Sequence, residues 1–365
     1  MRVAYLCLQA TREGQASHAH VHEIIKGLRQ RNWQVDLYEP DYAYTNQRLS
    51  LHQKIKEFMR VQKSLATRLR NHEYDIVYIR LHPLSFLTSR RASRYKIPTV
   101  VEVNGLPEEL YIAYPASRYL SWLWEPLTCY GIRSARAVIA VTMSLVMWAR
   151  NYLNNDQVFW IPNGANTELF RPTYEPLPSS LRKPYALFFG ALAPWQGIDV
   201  MLAAVNHPAW PDRVSLAIAG DGVERPRVVE AATHSPRIIY LETISYTKMP
   251  IFISQSLCGL IPKSHQVHKK SGLMPLKLFE TLACSVPAIV SDYPGMADLV
   301  RQGECGIVIP PDDPAALANA VRHLYEQPEL RAEMGKRGRE LIVREHSWDA
   351  RAEATHQVLL QVLTR

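Results

Sequence analysis

Short unbroken apolar runs alternate along this chain with longer stretches in which apolar positions recur every three or four residues. The runs at 3–8, 35–38, 75–79, 98–103, 137–141 and 157–161 predict strands buried on both faces. The stretches at 18–31, 51–71, 84–95, 114–134 and 145–153 predict helices between them. The helix at 51–71 carries its apolar residues at Leu51, Ile55, Phe58, Leu65 and Leu69. Residues 171–184 hold Pro172, Pro176, Pro178 and Pro184 and read as a linker. The alternation then restarts, with strands expected at 185–189, 214–219, 238–241, 258–261, 288–290 and 306–309. Residues 314–365 read as three helical pieces, broken at Pro328 and near Ser347. The pattern predicts an α/β fold of two doubly wound, Rossmann-like halves with parallel sheets, facing a ligand-binding cleft.

One stretch, residues 269–291, has a different character. It begins basic and loose at Lys269 and Lys270, turns into a helix and ends as a strand. Pro275 suits a first helical position, where its missing N–H costs nothing. Leu276, Phe279, Leu282 and Ala283 give one apolar face, and Ser285 and Pro287 end the helix. A helix start that follows Gly272, with lysines nearby, has the character of an anion site. Lys277 and Glu280 leave the helix on neighbouring lines. Glu280 cannot serve the same anion and suits hydroxyl donors such as a ribose, and an anion with a diol describes a nucleotide. The same spacing is also the ordinary pattern of a solvated Lys–Glu pair.

Composition narrows the classes. The 365 residues suffice for two or three domains, and 47% apolar residues supply a core for each. A net charge of +8 favours anionic partners. The five cysteines, at 7, 129, 258, 284 and 305, are odd in number and lack C-x-x-C spacing, which reads as reduced thiols in a cytoplasmic protein. The chain enters its first strand without a signal-peptide pattern, and its longest uncharged run, 137–149, is too short to span a bilayer.

Loops after the expected strands collect glycines: Gly14 to Ser17, Asn104-Gly105, Gly190 to Gly197, and Gly220-Asp221-Gly222. None is a G-x-G-x-x-G fingerprint or a P-loop. Each alone is what any turn needs, but all fall at strand carboxyl ends, where such sheets bind ligands. With Ile161-Pro162-Asn163-Gly164, Phe170, and the run from Pro275 through Glu280 to Pro287, these segments resemble the GT-B glycosyltransferases of the retaining, family-4 type, in the same order and over most of the chain. The resemblance implies an acceptor-binding domain at 1–172, completed by a final helix at 348–365, and a donor-binding domain at 173–347.

It further implies transfer of a sugar from a nucleotide diphosphate sugar, with a UDP-sugar the default, to a glycan, lipid-linked or small-molecule acceptor with retention. Lys277 and Glu280 are the expected catalytic pair, with Glu280 at the ribose. Gly190, Gln196, Gly197, Asp221, Ile244, Lys263, Gly272, Leu273, Met274 and Pro275 are expected around the donor. Gly14, Ser17, His18, Asn104 and Asn163 are expected on the acceptor or sugar side. The family usually has a first glutamate where Gly272 stands, an arginine and a lysine on the diphosphate where Ala191 and Gln196 stand, and a histidine where Asn104 stands. Lys277, with Lys263, Lys269 and Lys270, is available to compensate.

No D-x-D occurs, so no metal is expected at the donor, and the co-substrate is the only cofactor-like partner. His18, His20 and His22 share a helix start without H-E-x-x-H or C-x-x-C; His18 suits substrate contact, and His20 and His22 read as surface residues. Lys54, Lys56, Arg60, Lys63, Arg68 and Arg70 face only Glu57 on the helix at 51–71. That is equally the pattern of a peripheral contact with an anionic membrane, which Tyr111, Tyr114, Tyr119, Trp122 and Trp124 would anchor, and of a solvated face over a core. Nucleic acid is not expected as a partner, since no motif accompanies the charge. Two other readings remain: a non-catalytic nucleotide or sugar binder, and a nucleotide-sugar epimerase of GT-B type.

Overall fold

In a computed structural model the chain is described at residues 1–12, 15–44, 49–108, 115–153, 157–179, 181–264 and 271–364. It divides into two compact units, 1–162 with 348–365, and 163–347.

Unit 1 runs β1 (Arg2–Leu6), α1 (Ala16–Gln30), β2 (Gln34–Tyr38), α2 (Leu51–Arg70), β3 (Ile76–Arg80), α3 (Phe86–Arg94), β4 (Thr99–Val103), α4 (Ser121–Arg133), β5 (Ala137–Ala140), α5 (Met143–Arg150) and β6 (Val158–Trp160). The strands form a parallel sheet in the order β2-β1-β3-β4-β5-β6. The order reverses between β1 and β3, which makes their carboxyl ends the natural ligand edge. A core of Leu6, Leu65, Val77, Val101 and Val138 lies between sheet and helices. In α2 the buried residues are Phe58, Val61, Gln62, Leu65 and Leu69. The apolar face expected from Leu51 and Ile55 therefore splits: these two are 64% and 38% exposed and continue into Met59 at 43%.

Unit 2 runs β7 (Tyr185–Phe189), α6 (Ile198–Ala204), β8 (Ser215–Ala219), α7 (Arg225–His234), β9 (Ile238–Tyr240), α8 (Met249–Ser254), β10 (Cys258–Ile261), α9 (Leu276–Ala283), β11 (Ala288–Ser291), α10 (Met296–Gly303), β12 (Gly306–Ile309), α11 (Pro314–Glu326) and α12 (Pro328–Glu345). Its parallel sheet has the order β12-β11-β10-β7-β8-β9, with the reversal between β7 and β10. The last helix, α13 (Trp348–Leu363), belongs to unit 1. It packs on α1 so closely that a Cβ at Gly27 would stand 2.3 Å from the Cβ of Ala352.

Two details depart from the sequence pattern. Residues 163–172, expected in the first half, belong to unit 2. There Ala165 and Phe170 enter the core, and Arg339 donates to the carbonyls of Phe170, Thr167 and Ala283. Pro275 is the N-cap of α9, at ψ 140, and the helix begins at Leu276. The same helix has no single apolar face: Leu276, Leu278, Phe279, Glu280, Thr281, Leu282 and Ala283 are all buried.

Candidate functional site

The carboxyl ends of β7 and β10 carry the loops that meet at the reversal point of unit 2. The β7 loop passes Gly190 and makes a 3-10 turn, Pro194–Gln196, before α6. Gly197 follows at φ +70, where a Cβ would meet the Pro262 carbonyl oxygen at 2.8 Å, so glycine alone lets the two loops touch. This contact sets Gln196 beside the residue after Pro262, Lys263. The Ser291 hydroxyl donates to the Lys263 carbonyl (3.2 Å) and accepts from its N–H (2.8 Å), holding that backbone on both sides.

Lys263 Nζ donates to Gln196 Oε1 at 2.6 Å, and Lys277 Nζ, from the first turn of α9, donates to the same oxygen at 3.1 Å. Lys277 Nζ also lies 4.0 Å from the centre of the Phe188 ring. At Gly190, φ +123, a Cβ would lie 3.1 Å from that ammonium, so the β7 backbone is open to it. Neither lysine pairs with a carboxylate among the described residues. Burial lowers the Lys263 pKa to about 8. Burial, and after it the neighbouring Lys263, press Lys277 well below the ordinary lysine value, with Glu280 opposing. Two enclosed amines on one neutral oxygen make a site short of negative charge.

Glu280 is buried one turn further along α9. Burial raises its pKa to about 7, against the nearby Tyr246 hydroxyl and the charge of Lys277. Tyr246 and Ile244 belong to the β9–α8 loop and pack on the unit 2 core, where Tyr246 meets Phe170 edge-on at 5.0 Å. The approach to α9 is rigid. Gly272, at φ +68, is buried, Leu273 donates its N–H to the Pro294 carbonyl, and the Met274 carbonyl accepts from Asn163 Nδ2 at 2.7 Å.

The structure thus brings Gly190, Gln196, Gly197, Lys263, Lys277 and Glu280 together and revises others. Asn163, expected on the acceptor side, lies in unit 2 with its amide on Met274. Asp221 is exposed, and its carboxylate accepts the next N–H, of Gly222, at 2.9 Å rather than reaching the lysines. Gly14, Lys269, Lys270, Tyr111 and Tyr114 lie outside the described residues. Tyr246, Ser291 and Phe188 are additions that no local pattern singles out.

Unit 1 holds a second polar cluster at its own reversal point. Glu102, on β4, is 1% exposed. It accepts from Tyr78 Oη (2.6 Å), Tyr5 Oη (3.4 Å), Arg80 (2.7 Å) and Asn104 Nδ2, and His20 Nε2 lies 2.9 Å away. Burial pushes its pKa up, but His20, Arg80 and Tyr78 outweigh that and hold the carboxyl well below the usual range. The surface reading of His20 is therefore overturned: it is buried between Glu102 and the edge of Trp348. His22 is also drawn inward, 3.3 Å from the Thr11 hydroxyl, and stacks on His18 at 4.1 Å. Ser17 is buried at the start of α1. A glutamate inside the apolar run of β4 is the one sequence signal for this cluster. Among the described residues no three acidic, histidine or cysteine side chains converge as a metal site, and no helix is long and apolar enough to cross a membrane.

Comparison with known proteins gives matches along nearly the whole chain. The family "Glycosyl transferases group 1" matches residues 174–341 and "Glycosyltransferase Family 4" matches residues 17–169. The alpha-maltose-1-phosphate synthase of Mycolicibacterium smegmatis is 26% identical over 302 residues, 73% of this chain and 74% of its own. The alpha-D-kanosaminyltransferase of Streptomyces kanamyceticus is 23% identical over 275 residues, 70% and 68% respectively. Among solved structures, the sucrose-phosphate synthase of Thermosynechococcus elongatus superposes with a TM-score of 0.79 at 19% identity, covering 100% of this chain and 99% of that one. Anabaena HepE, solved in complex with UDP-glucose, gives 0.72 at 16% identity, covering 99% and 100%.

Proposed function

The chain belongs to the group 1, family-4 glycosyltransferases of GT-B fold, and from that premise we propose that it transfers a sugar from a UDP-sugar, with retention, to a glycan, lipid-linked or small-molecule acceptor. The observation that carries this reading is the pair Lys263 and Lys277, both turned on one neutral amide oxygen at the reversal point of unit 2. A donor diphosphate supplies the negative charge this site lacks. The bond from the anomeric carbon to the β-phosphate oxygen breaks, charge builds on the departing diphosphate, and the two fixed lysines, Lys277 protonated as the anion binds, meet that charge in place. The acceptor oxygen bonds to the anomeric carbon, and its proton leaves with the phosphate. One such preorganised group is worth roughly 3–4 kcal/mol. Glu280, with Tyr246 behind it, takes the ribose hydroxyls, and Gly190, Gly197, Ile244 and the 272–275 segment line the nucleotide. In unit 1, Ser17, His18 and Asn104 are the residues assigned to the sugar or acceptor. HepE, with UDP-glucose in its solved complex, supports uridine as the base.

The exposed row Leu51, Ile55 and Met59 on α2, with the α2 lysines, supports peripheral contact with anionic lipid. Co-sedimentation with anionic but not zwitterionic vesicles tests it. For the donor, thermal shift against UDP, GDP, CDP and dTDP, with Glu280→Ala as control, is the direct experiment. Stabilisation by UDP that the variant loses is expected; a flat response to all four from folded protein overturns the donor reading and favours a decayed binder.

A further inference from the structure

Gln196 stands where the family usually places a lysine, yet its side chain is the hub of the site. Its Oε1 is 2.6 Å from Lys263 Nζ and 3.1 Å from Lys277 Nζ, and both nitrogens donate to it, so the oxygen end of the amide faces them. Its two lone pairs are thereby used. Its Nε2 makes no hydrogen bond among the described residues, so nothing on that side holds the side chain in place. The backbone beneath is pinned: Gln196 N–H donates to the Ala193 carbonyl at 2.9 Å, and Gly197 abuts Pro262. The side chain is half-buried, and turning it about its own bonds requires no movement of that backbone.

We propose that Gln196 is an internal placeholder, its amide oxygen occupying in the free protein the point between Lys263 and Lys277 that a diphosphate oxygen takes on binding. This deepens the donor reading for the same site and rests on its diphosphate. Binding exchanges two hydrogen bonds to a neutral oxygen for two to an oxyanion, which are the stronger kind. A neutral placeholder keeps two enclosed amines satisfied without competing as a carboxylate would. A lysine at the same position would instead add a third positive charge and leave the pair without an acceptor.

The test compares wild type, Gln196→Glu and Gln196→Met by calorimetry, with UDP and with inorganic pyrophosphate, alongside the melting temperature of each free protein. The glutamate, an internal anion that no longer yields, is expected to raise the melting temperature and weaken both ligands at least tenfold. The methionine, close in size and lacking the acceptor, is expected to lower the melting temperature and to bind both ligands as tightly as wild type or severalfold more tightly. Gln196→Glu binding pyrophosphate as well as wild type does, or Gln196→Met losing affinity as Lys263→Met does, overturns the placeholder. Pyrophosphate needs no base or ribose pocket. A wild type that binds pyrophosphate but no nucleoside diphosphate therefore sinks the donor reading and leaves the placeholder standing, while one that binds neither sinks both.

Discussion

Replacing Lys277 by methionine is expected to move stability and binding in opposite directions. In the free protein the substitution removes an enclosed amine that faces Lys263 across one amide oxygen and has no ion-paired carboxylate among the described residues. Exchanging an enclosed polar amine of this kind for an apolar side chain is neutral or stabilising, by about 1–3 kcal/mol. Phe188, 4.0 Å from the ammonium, already offers an apolar surface to the new side chain. A rise of a few degrees in melting temperature corresponds to the lower half of that range for a domain of this size. Toward a diphosphate the sign reverses. A unit charge at about 4 Å and an effective dielectric of about 20 is worth roughly 4 kcal/mol. Part is returned because burial favours the uncharged amine, which must take up a proton when the anion arrives. A net loss of about 2–3 kcal/mol remains, or roughly 30- to 160-fold in the Kd for UDP. Thermal melts and calorimetry on the same preparation measure both signs. A lower melting temperature with an unchanged Kd would refute the reasoning, making Lys277 a structural partner of Glu280 with no part in anion binding.

Four further outcomes follow from the structure. Glu280, raised to about 7 from an ordinary carboxyl value, costs stability as pH climbs from about 4.5 to 7, whereas Lys263, lowered to about 8, returns stability as pH climbs from 8 to about 10.5. Melting temperatures of Glu280→Gln minus wild type should therefore shift in the variant's favour across pH 4.5–7 and stay level above; a flat difference contradicts the assignment. Glu102→Gln leaves Arg80 buried without its counter-charge and should destabilise unit 1 by about 3–5 kcal/mol in denaturant titrations. Gly27→Ala should cost roughly 1–3 kcal/mol by forcing α1 from α13. Gly131→Ala in α4, where a Cβ finds ordinary contact at 3.6 Å from Leu81, should be neutral or stabilising by up to about 1 kcal/mol.

The sheets are legible in the sequence because both are parallel and their central strands are covered on both faces, so most strands read as nearly continuous apolar runs, with Asp36 in β2 and Glu102 in β4 the interruptions. The run 185–189 is matched residue for residue by β7. Periodicity serves less well where burial departs from a single stripe. Leu51 and Ile55 share the helical spacing of Phe58 and yet are exposed, since the burial of α2 begins only at Phe58. The α9 helix is buried nearly all round, so its apolar spacing marks no face. At the site, Lys277 and Glu280 stand out because they sit one turn apart on a helix that starts at a strand end. Tyr246 acts from the β9–α8 loop and Ser291 from the end of β11, and only the folded sheet order brings them near. His20 reads as a surface residue because its buried partner, Glu102, is eighty-two positions away on β4.

The ends of unit 2 lie side by side: Ala165 and Ser347 form a parallel bridge, and the Ala165 N–H donates to the His346 carbonyl at 2.9 Å. The chain therefore enters and leaves this unit at one point, and unit 1 is interrupted there. On the ribosome the order of completion is then inverted. The second unit emerges as one continuous segment able to close its sheet as soon as Ser347 is made, while the first must wait with α1 unpaired until α13 appears.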